Sequence, residues 1–78
     1  MHLVIAKVNE TLFEGEAHSL VAPGSDGEMT VLGHHEPLIT TLKKGDLRVH
    51  LVVGDEPKIF PIDGGVLEIR SEGATVIL

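Results

Sequence analysis

Residues 23–42, PGSDGEMTVLGHHEPLITTL, decide how the rest of this 78-residue chain is organised. Two turn signals, Pro23-Gly24 and Asp26-Gly27, lie almost side by side, because glycine adopts a positive φ at no steric cost and Asp bonds its own backbone. The next break, residues 33–37, ends in a proline that fixes φ for an incoming strand. The pattern therefore predicts a short strand, residues 28–32, between two stiff polar loops of the kind that carry binding residues.

Short alternating segments continue on both sides of this stretch. Residues 2–8 form an apolar run rich in β-branched side chains, with apolar residues on both faces, which predicts a strand buried on both sides or lying against a partner. Pro61 interrupts another apolar segment and predicts an edge strand or a bulge there. The chain is expected to be all-β, a flattened antiparallel sandwich or barrel of about 8–10 short strands. Its predicted core comprises Phe13, Ala17, Val21, Val31, Leu47, Val49, Leu51, Leu67 and Ile69.

Composition limits the classes of function. A hydrophobic fraction of 42% and a mean hydropathy of +0.22 indicate one packed domain over residues 1–78. The net charge of −6 argues against nucleic acid as a partner, because phosphate contacts need clustered basic residues. No segment approaches the roughly 18 apolar residues that cross a bilayer, so no direct membrane insertion is expected. The N-terminal apolar run is too short for a secretion signal.

Candidate chemistry in this sequence is sparse. His34 and His35 are adjacent, so an extended backbone turns them to opposite faces and makes them a poor chelating pair. A His–carboxylate metal site and solvated surface histidines are both compatible with the five histidines, and no metal is predicted. Asp26 and Glu28 could form a carboxylate pair or simply a solvated turn. No catalytic residue and no cofactor are predicted, because nucleophile and phosphate-loop motifs are lacking.

The same stretch carries a family resemblance. The pattern PG-x-DGE-x4-GHHEPL resembles a segment of the epsilon subunit of rotary F-type ATP synthases, and the likeness to the N-terminal β-sandwich domain of that family extends along the whole chain. It includes residues 12–15 (LFEG), 42–45 (LKKG) and 64–68 (GGVLE). Thr30, Gly33-His34 and Glu36 depart from the family pattern. The family continues into a helical hairpin that nothing in this chain matches.

The resemblance implies a function and a set of contact residues. It implies a non-catalytic rotor subunit of the central stalk, which links the gamma subunit to the membrane c-ring and couples ion translocation to ATP synthesis or hydrolysis. It would act peripherally, at the cytoplasmic face of the bacterial plasma membrane. By matching position, the ring-facing loop would be Ser25, Asp26 and Glu28. The gamma-facing residues would be Lys7, His35 and Thr40.

Two other classes of protein compete with this interpretation. A lipoyl- or biotinyl-like carrier domain has about this length and needs a modifiable lysine at a hairpin tip, for which Lys43-Lys44 is the candidate. A small β-barrel enzyme needs clustered reactive residues, which the sequence lacks. A mass increase on lysine would favour the carrier, and binding to a gamma subunit would favour the stalk.

Overall fold

The computed structural model describes residues 1–78 and consists of strands and turns without a helix. It has nine strands: β1 (His2–Lys7), β2 (Glu10–Glu16), β3 (Ser19–Gly24), β4 (Gly27–Leu32), β5 (Leu38–Leu42), β6 (Gly45–His50), β7 (Lys58–Ile62), β8 (Gly65–Arg70) and β9 (Gly73–Ile77). The all-β prediction is confirmed.

The strands form one curled sheet with two halves, a larger one of β2, β1, β9, β8 and β5 and a smaller one of β4, β3, β6 and β7. Hydrogen-bonded neighbours follow the order β2-β1-β9-β8-β5-β3-β6-β7, and β4 pairs with the free side of β3. The two halves face each other across the core, and the rings of Phe13 on β2 and Phe60 on β7 meet edge to face at 6.2 Å. All pairs are antiparallel except β1 with β9, which run parallel. Pro61 lies on β7 at the end of the order, so its predicted edge position is confirmed.

The halves are joined at a corner where β3 and β5 meet by one residue pair, Gly24 with Leu42. The Lys43 N–H donates to the Pro23 carbonyl oxygen at 2.9 Å beside this pair. Pro23 and Gly24 are therefore strand residues, and the turn predicted at them is wrong. A Cβ at Gly24 would lie 2.7 Å from the Gly27 carbonyl oxygen, so glycine allows the chain to approach itself closely at this corner.

Inward-facing residues of both halves make one core. The buried apolar residues are Leu3, Ile5, Ala17, Leu20, Ala22, Val31, Leu42, Leu47, Val49, Ile62, Leu67, Ile69, Ala74 and Val76. Among the predicted core residues, Ala17, Val31, Leu47, Val49, Leu67 and Ile69 are confirmed. Phe13 is half-buried and packs against the core.

Two core predictions are wrong for a common reason, because in each case the strand ends before the alternating apolar pattern does. The alternation through Phe13 and Ala17 does not continue to Val21, because the break between β2 and β3 shifts the pattern by one residue and places Leu20 inside. Leu51 is 38% exposed because β6 ends at His50, before the alternating apolar pattern does. A period-2 pattern marks a face only while the strand lasts.

Candidate functional site

The predicted ring-facing loop is a tight turn at the joined corner. Ser25 and Asp26 connect β3 to β4, and the Gly24–Gly27 pair closes the turn. Gly27 has φ 137°, a conformation that suits glycine. The Ser25 N–H donates to the Thr41 carbonyl oxygen at 3.0 Å, and the Ser25 and Thr41 hydroxyl oxygens are 2.7 Å apart. These bonds fix the turn to the other half of the sheet, with Ser25 and Asp26 both exposed.

Glu28 lies at the start of β4, beside this turn. Its side chain is 65% exposed, and its Oε2 accepts a hydrogen bond from Arg48 Nη2 at 3.1 Å. Arg48 belongs to β6, on the opposite side of β3, so the ion pair spans the middle strand. The structure thus brings Ser25, Asp26 and Glu28 together, although only Asp26 presents a carboxylate without an ionic partner.

The predicted gamma-facing residues are not brought onto one face. Lys7 ends β1 near the corner and has its Nζ 3.8 Å from Glu10. His35 precedes β5 at the opposite end, and its Nδ1 lies 2.8 Å from the Glu36 carbonyl oxygen. Thr40 pairs with the buried Leu67, so its side chain is on the inner face and half-buried.

An apolar outer face on the larger half was only partly predicted. Val4 and Ala6 are half-buried there, in agreement with the prediction of a first strand that is apolar on both faces. Register places Ala6 in a row with Ile77 and Val66, which are 52% and 39% exposed. It places Val4 in a second row with Thr75, Glu68 and Ile39, so the 69% exposed Ile39 is separated from Val4 by polar residues. In the sequence, this outer face is indicated by apolar residues at the positions that alternate with the inward-facing ones. A sheet face with this many exposed aliphatic side chains is typical of a contact surface.

The histidines and lysines do not form a further candidate site. All five histidines lie at the end opposite the corner, and no three His, Asp or Glu side chains come close enough to hold a metal ion. His2 is 3.5 Å from Glu14, an exposed pair. Lys43 and Lys44 form the exposed turn between β5 and β6. No helix able to span a membrane is present.

The Asp55 side chain stabilises the loop after β6 through hydrogen bonds. Its Oδ2 accepts hydrogen bonds from the N–H groups of Leu51 at 3.0 Å and Val52 at 3.2 Å, and its Oδ1 is 3.0 Å from His50 Nδ1. Partial burial acts to raise the pKa of Asp55, but the hydrogen bonds from Val52, His50 and Leu51 outweigh it and leave the pKa below its ordinary value of 3.8. Because the N–H groups of Leu51 and Val52 donate to this carboxylate, they are not available for strand pairing, and β6 ends at His50.

Because the folded pKa of Asp55 is lowered, its stabilising contribution is complete above pH 3.8 and is lost as the pH falls through the folded value. We expect Asp55→Asn to lower the melting temperature at pH 7 and to leave a smaller difference between pH 7 and pH 3 than in the unmodified chain. Asp63→Asn, which alters an exposed carboxylate with no side-chain hydrogen bond, is the control. An unchanged pH difference in Asp55→Asn contradicts this account.

The exposed features of this molecule are a rigid turn and a sheet face on a β-sandwich domain, an arrangement suited to contacts with other proteins. Residues 1–78 match the family model described as the ATP synthase, Delta/Epsilon chain, beta-sandwich domain. The chain belongs to this family.

Curated relatives agree with the match. The chain is 35% identical to the ATP synthase epsilon chain of Delftia acidovorans over 77 residues, which are 99% of this chain and 55% of the relative. It is 42% identical to that of Psychrobacter cryohalolentis over 73 residues, 94% of this chain and 52% of the relative. The chain thus spans about half the length of the relatives it matches.

Solved structures show the same fold. A chain in the Euglena gracilis mitochondrial ATP synthase, determined with OSCP, F1 and the c-ring, superposes with a TM-score of 0.86 at 23% identity over 96% of this chain and 48% of that one. A chain in the Tetrahymena thermophila mitochondrial ATP synthase central stalk and c-ring gives a TM-score of 0.80 at 13% identity, over 99% of this chain and 61% of that one.

Proposed function

We propose that this chain serves in the non-catalytic central stalk of a rotary F-type ATP synthase, where it links the gamma subunit to the c-ring. In this role it helps couple ion translocation to ATP synthesis and hydrolysis. The observation that carries the proposal is a polar turn fixed between both halves of the sheet, in a chain whose family match covers all its residues. The same match favours the stalk over the carrier interpretation of Lys43 and Lys44.

The ring contact is assigned to Ser25, Asp26 and Glu28. A contact that transmits force needs a rigid attachment to the domain. The two hydrogen bonds between Ser25 and Thr41 provide this rigidity. Asp26 and Glu28 offer acidic groups to the polar, partly basic ring loops that the family resemblance implies. Complementary charges of this kind determine register and association rate more than raw affinity.

The gamma contact is assigned to the larger half of the sheet. Lys7 and His35 mark its two ends, and the apolar outer face lies between them. Thr40, being half-buried on the inner face, supports this surface rather than touching the partner. Attachment through gamma and the ring makes the chain a peripheral component at the cytoplasmic face of a bacterial membrane.

Charge reversal at Glu28 tests the ring contact. Glu28→Lys should change stability by no more than about 1 kcal/mol, because the Arg48 pair is exposed and such pairs are worth about 0–1 kcal/mol. We expect gamma binding to remain and ATP-driven ion pumping in reconstituted vesicles to fall well below that of the unmodified enzyme. Melting, gamma pull-down and pumping are the three measurements.

Two variants serve as controls for this reversal. Glu28→Gln removes the charge without reversing it and should give a milder loss, whereas Glu56→Lys reverses an exposed charge in the loop between β6 and β7, at the end opposite the turn, and should pump normally. Normal pumping by Glu28→Lys removes Glu28 from the ring contact. A collapse of its melting temperature makes the residue structural instead.

A further inference from the structure

Four strands of the sheet have an edge without a ladder partner, and one of them differs from the rest. The edges belong to β2, β4, β5 and β7. Charged residues or proline on an edge strand discourage pairing with another chain. Such protection is present on β2 (Glu10, Glu14, Glu16), on β4 (Glu28) and on β7 (Lys58, Pro61), whereas β5 reads LITTL and has none.

The backbone of β5 offers free hydrogen-bonding groups on this edge. The Thr41 carbonyl oxygen accepts the Ser25 N–H there, which identifies the side of the strand that faces away from β8. Groups on one side of a strand recur every second residue. The N–H and C=O of Ile39 and the N–H of Thr41 therefore point to the same edge, and β8 occupies only the opposite one.

The side chains along the edge are uncharged, with an acidic residue at each end. Ile39 is 69% and Leu38 40% exposed, and both line a shallow groove with Pro37, Glu68, Ile69 and Arg70. Glu36 is exposed just before the strand. At the other end the turn containing Asp26 is bonded to Thr41, and it closes the edge beyond that residue.

We propose that the β5 edge is a strand-addition site, filled in the assembled stalk by an extended segment of the gamma subunit. The segment is uncharged and apolar opposite Leu38 and Ile39, and it is flanked by basic residues that meet Glu36 and Asp26. Strand addition obtains affinity from main-chain hydrogen bonds and specificity from alternate side chains. This inference rests on the proposed function, because it names the surface through which the gamma contact is made.

The occupant is gamma rather than a second copy of the chain for two reasons. Antiparallel pairing of two β5 edges would bring Glu36 of one copy towards the Asp26 turn of the other, which places like charges together. The turn also limits the overlap of two copies to residues 37–40, about 13 Å of strand. A gamma segment can instead continue from Ile39, beside its paired neighbour Glu68, to the exposed Val66 and Ile77 on the same outer face.

Amide hydrogen exchange on the isotopically labelled chain, with and without its cognate gamma subunit, tests the inference directly. We expect exchange at Ile39 and Thr41 to slow at least about 10-fold on binding, while the amides of β2 and β7 stay unchanged, because a new ladder would protect the N–H groups of this edge alone. Ile39→Lys should weaken gamma binding at least about 10-fold. Ile59→Lys, at a 51% exposed isoleucine on β7, should change it less than about 2-fold.

Each outcome has a distinct meaning. If gamma binds and the Ile39 and Thr41 amides stay unprotected, the strand-addition site is wrong and the stalk function stands. If gamma does not bind, both proposals fall. A dimer in sedimentation, with these amides protected in the absence of gamma, assigns the edge to a second copy instead. The exchange measurement needs no substitution, so it decides the question even if Ile39→Lys does not fold.

Discussion

Replacing Leu47 with alanine is expected to lower the free energy of unfolding by about 2–5 kcal/mol. Leu47 is 0% exposed in the core, so truncation removes fully buried methyl groups and leaves a cavity. A domain of this size has roughly 5–15 kcal/mol of stability in total. The variant should therefore unfold at a much lower denaturant concentration, as followed by circular dichroism in urea.

Leu51 provides a matched control for this prediction. It has the same side chain and belongs to the same alternating pattern four residues later, yet it is 38% exposed in the loop after β6. Leu51→Ala should cost less than about 1 kcal/mol, since little apolar surface is withdrawn from water at this position. Equal losses at the two leucines would show that β6 extends beyond His50, contrary to the structure.

Replacing Gly73 with alanine is expected to cost about 3 kcal/mol or more. Gly73 is buried at the start of β9, where a Cβ would collide with the carbonyl oxygen of His2 on β1. The obstacle is backbone rather than a flexible side chain, so relief requires separating the parallel β1–β9 pair. Thermal unfolding should show a lower melting temperature, and exchange of the β1 and β9 amides should accelerate.

Gly33→Ala is the control for this substitution. No atom lies within 4 Å of the position that a Cβ would occupy at Gly33, and its φ is not positive. The change should be neutral or slightly stabilising, because alanine restricts the unfolded chain more than glycine does. Similar losses at Gly33 and Gly73 would mean that the β1–β9 approach is not the cause.

Local patterns in the sequence were enough to predict the class of fold and the approximate position of most strands. Alternation of apolar residues, β-branched content and turn signals are local properties, so strands over residues 28–32 and 66–70 could be recognised without knowing their neighbours. The alternation through residues 47–53 located β6 but carried it too far. The edge position of Pro61 followed from its missing N–H. The resemblance added the candidate ring-facing and gamma-facing residues. It could not say which of them share a surface.

Features that depend on distant partners became visible only when the strands were assembled into the sheet. The end of β6 depends on the Asp55 carboxylate, which takes two N–H groups that the pattern through Leu51 assigned to a strand. The Glu28–Arg48 pair, the Ser25–Thr41 bonds and the inward orientation of Thr40 join residues that lie far apart in the chain or depend on strand pairing. Local periodicity tells which side chains share a face of one strand. Which strands become neighbours, and which edge stays free, is set by how the whole sheet closes around its core.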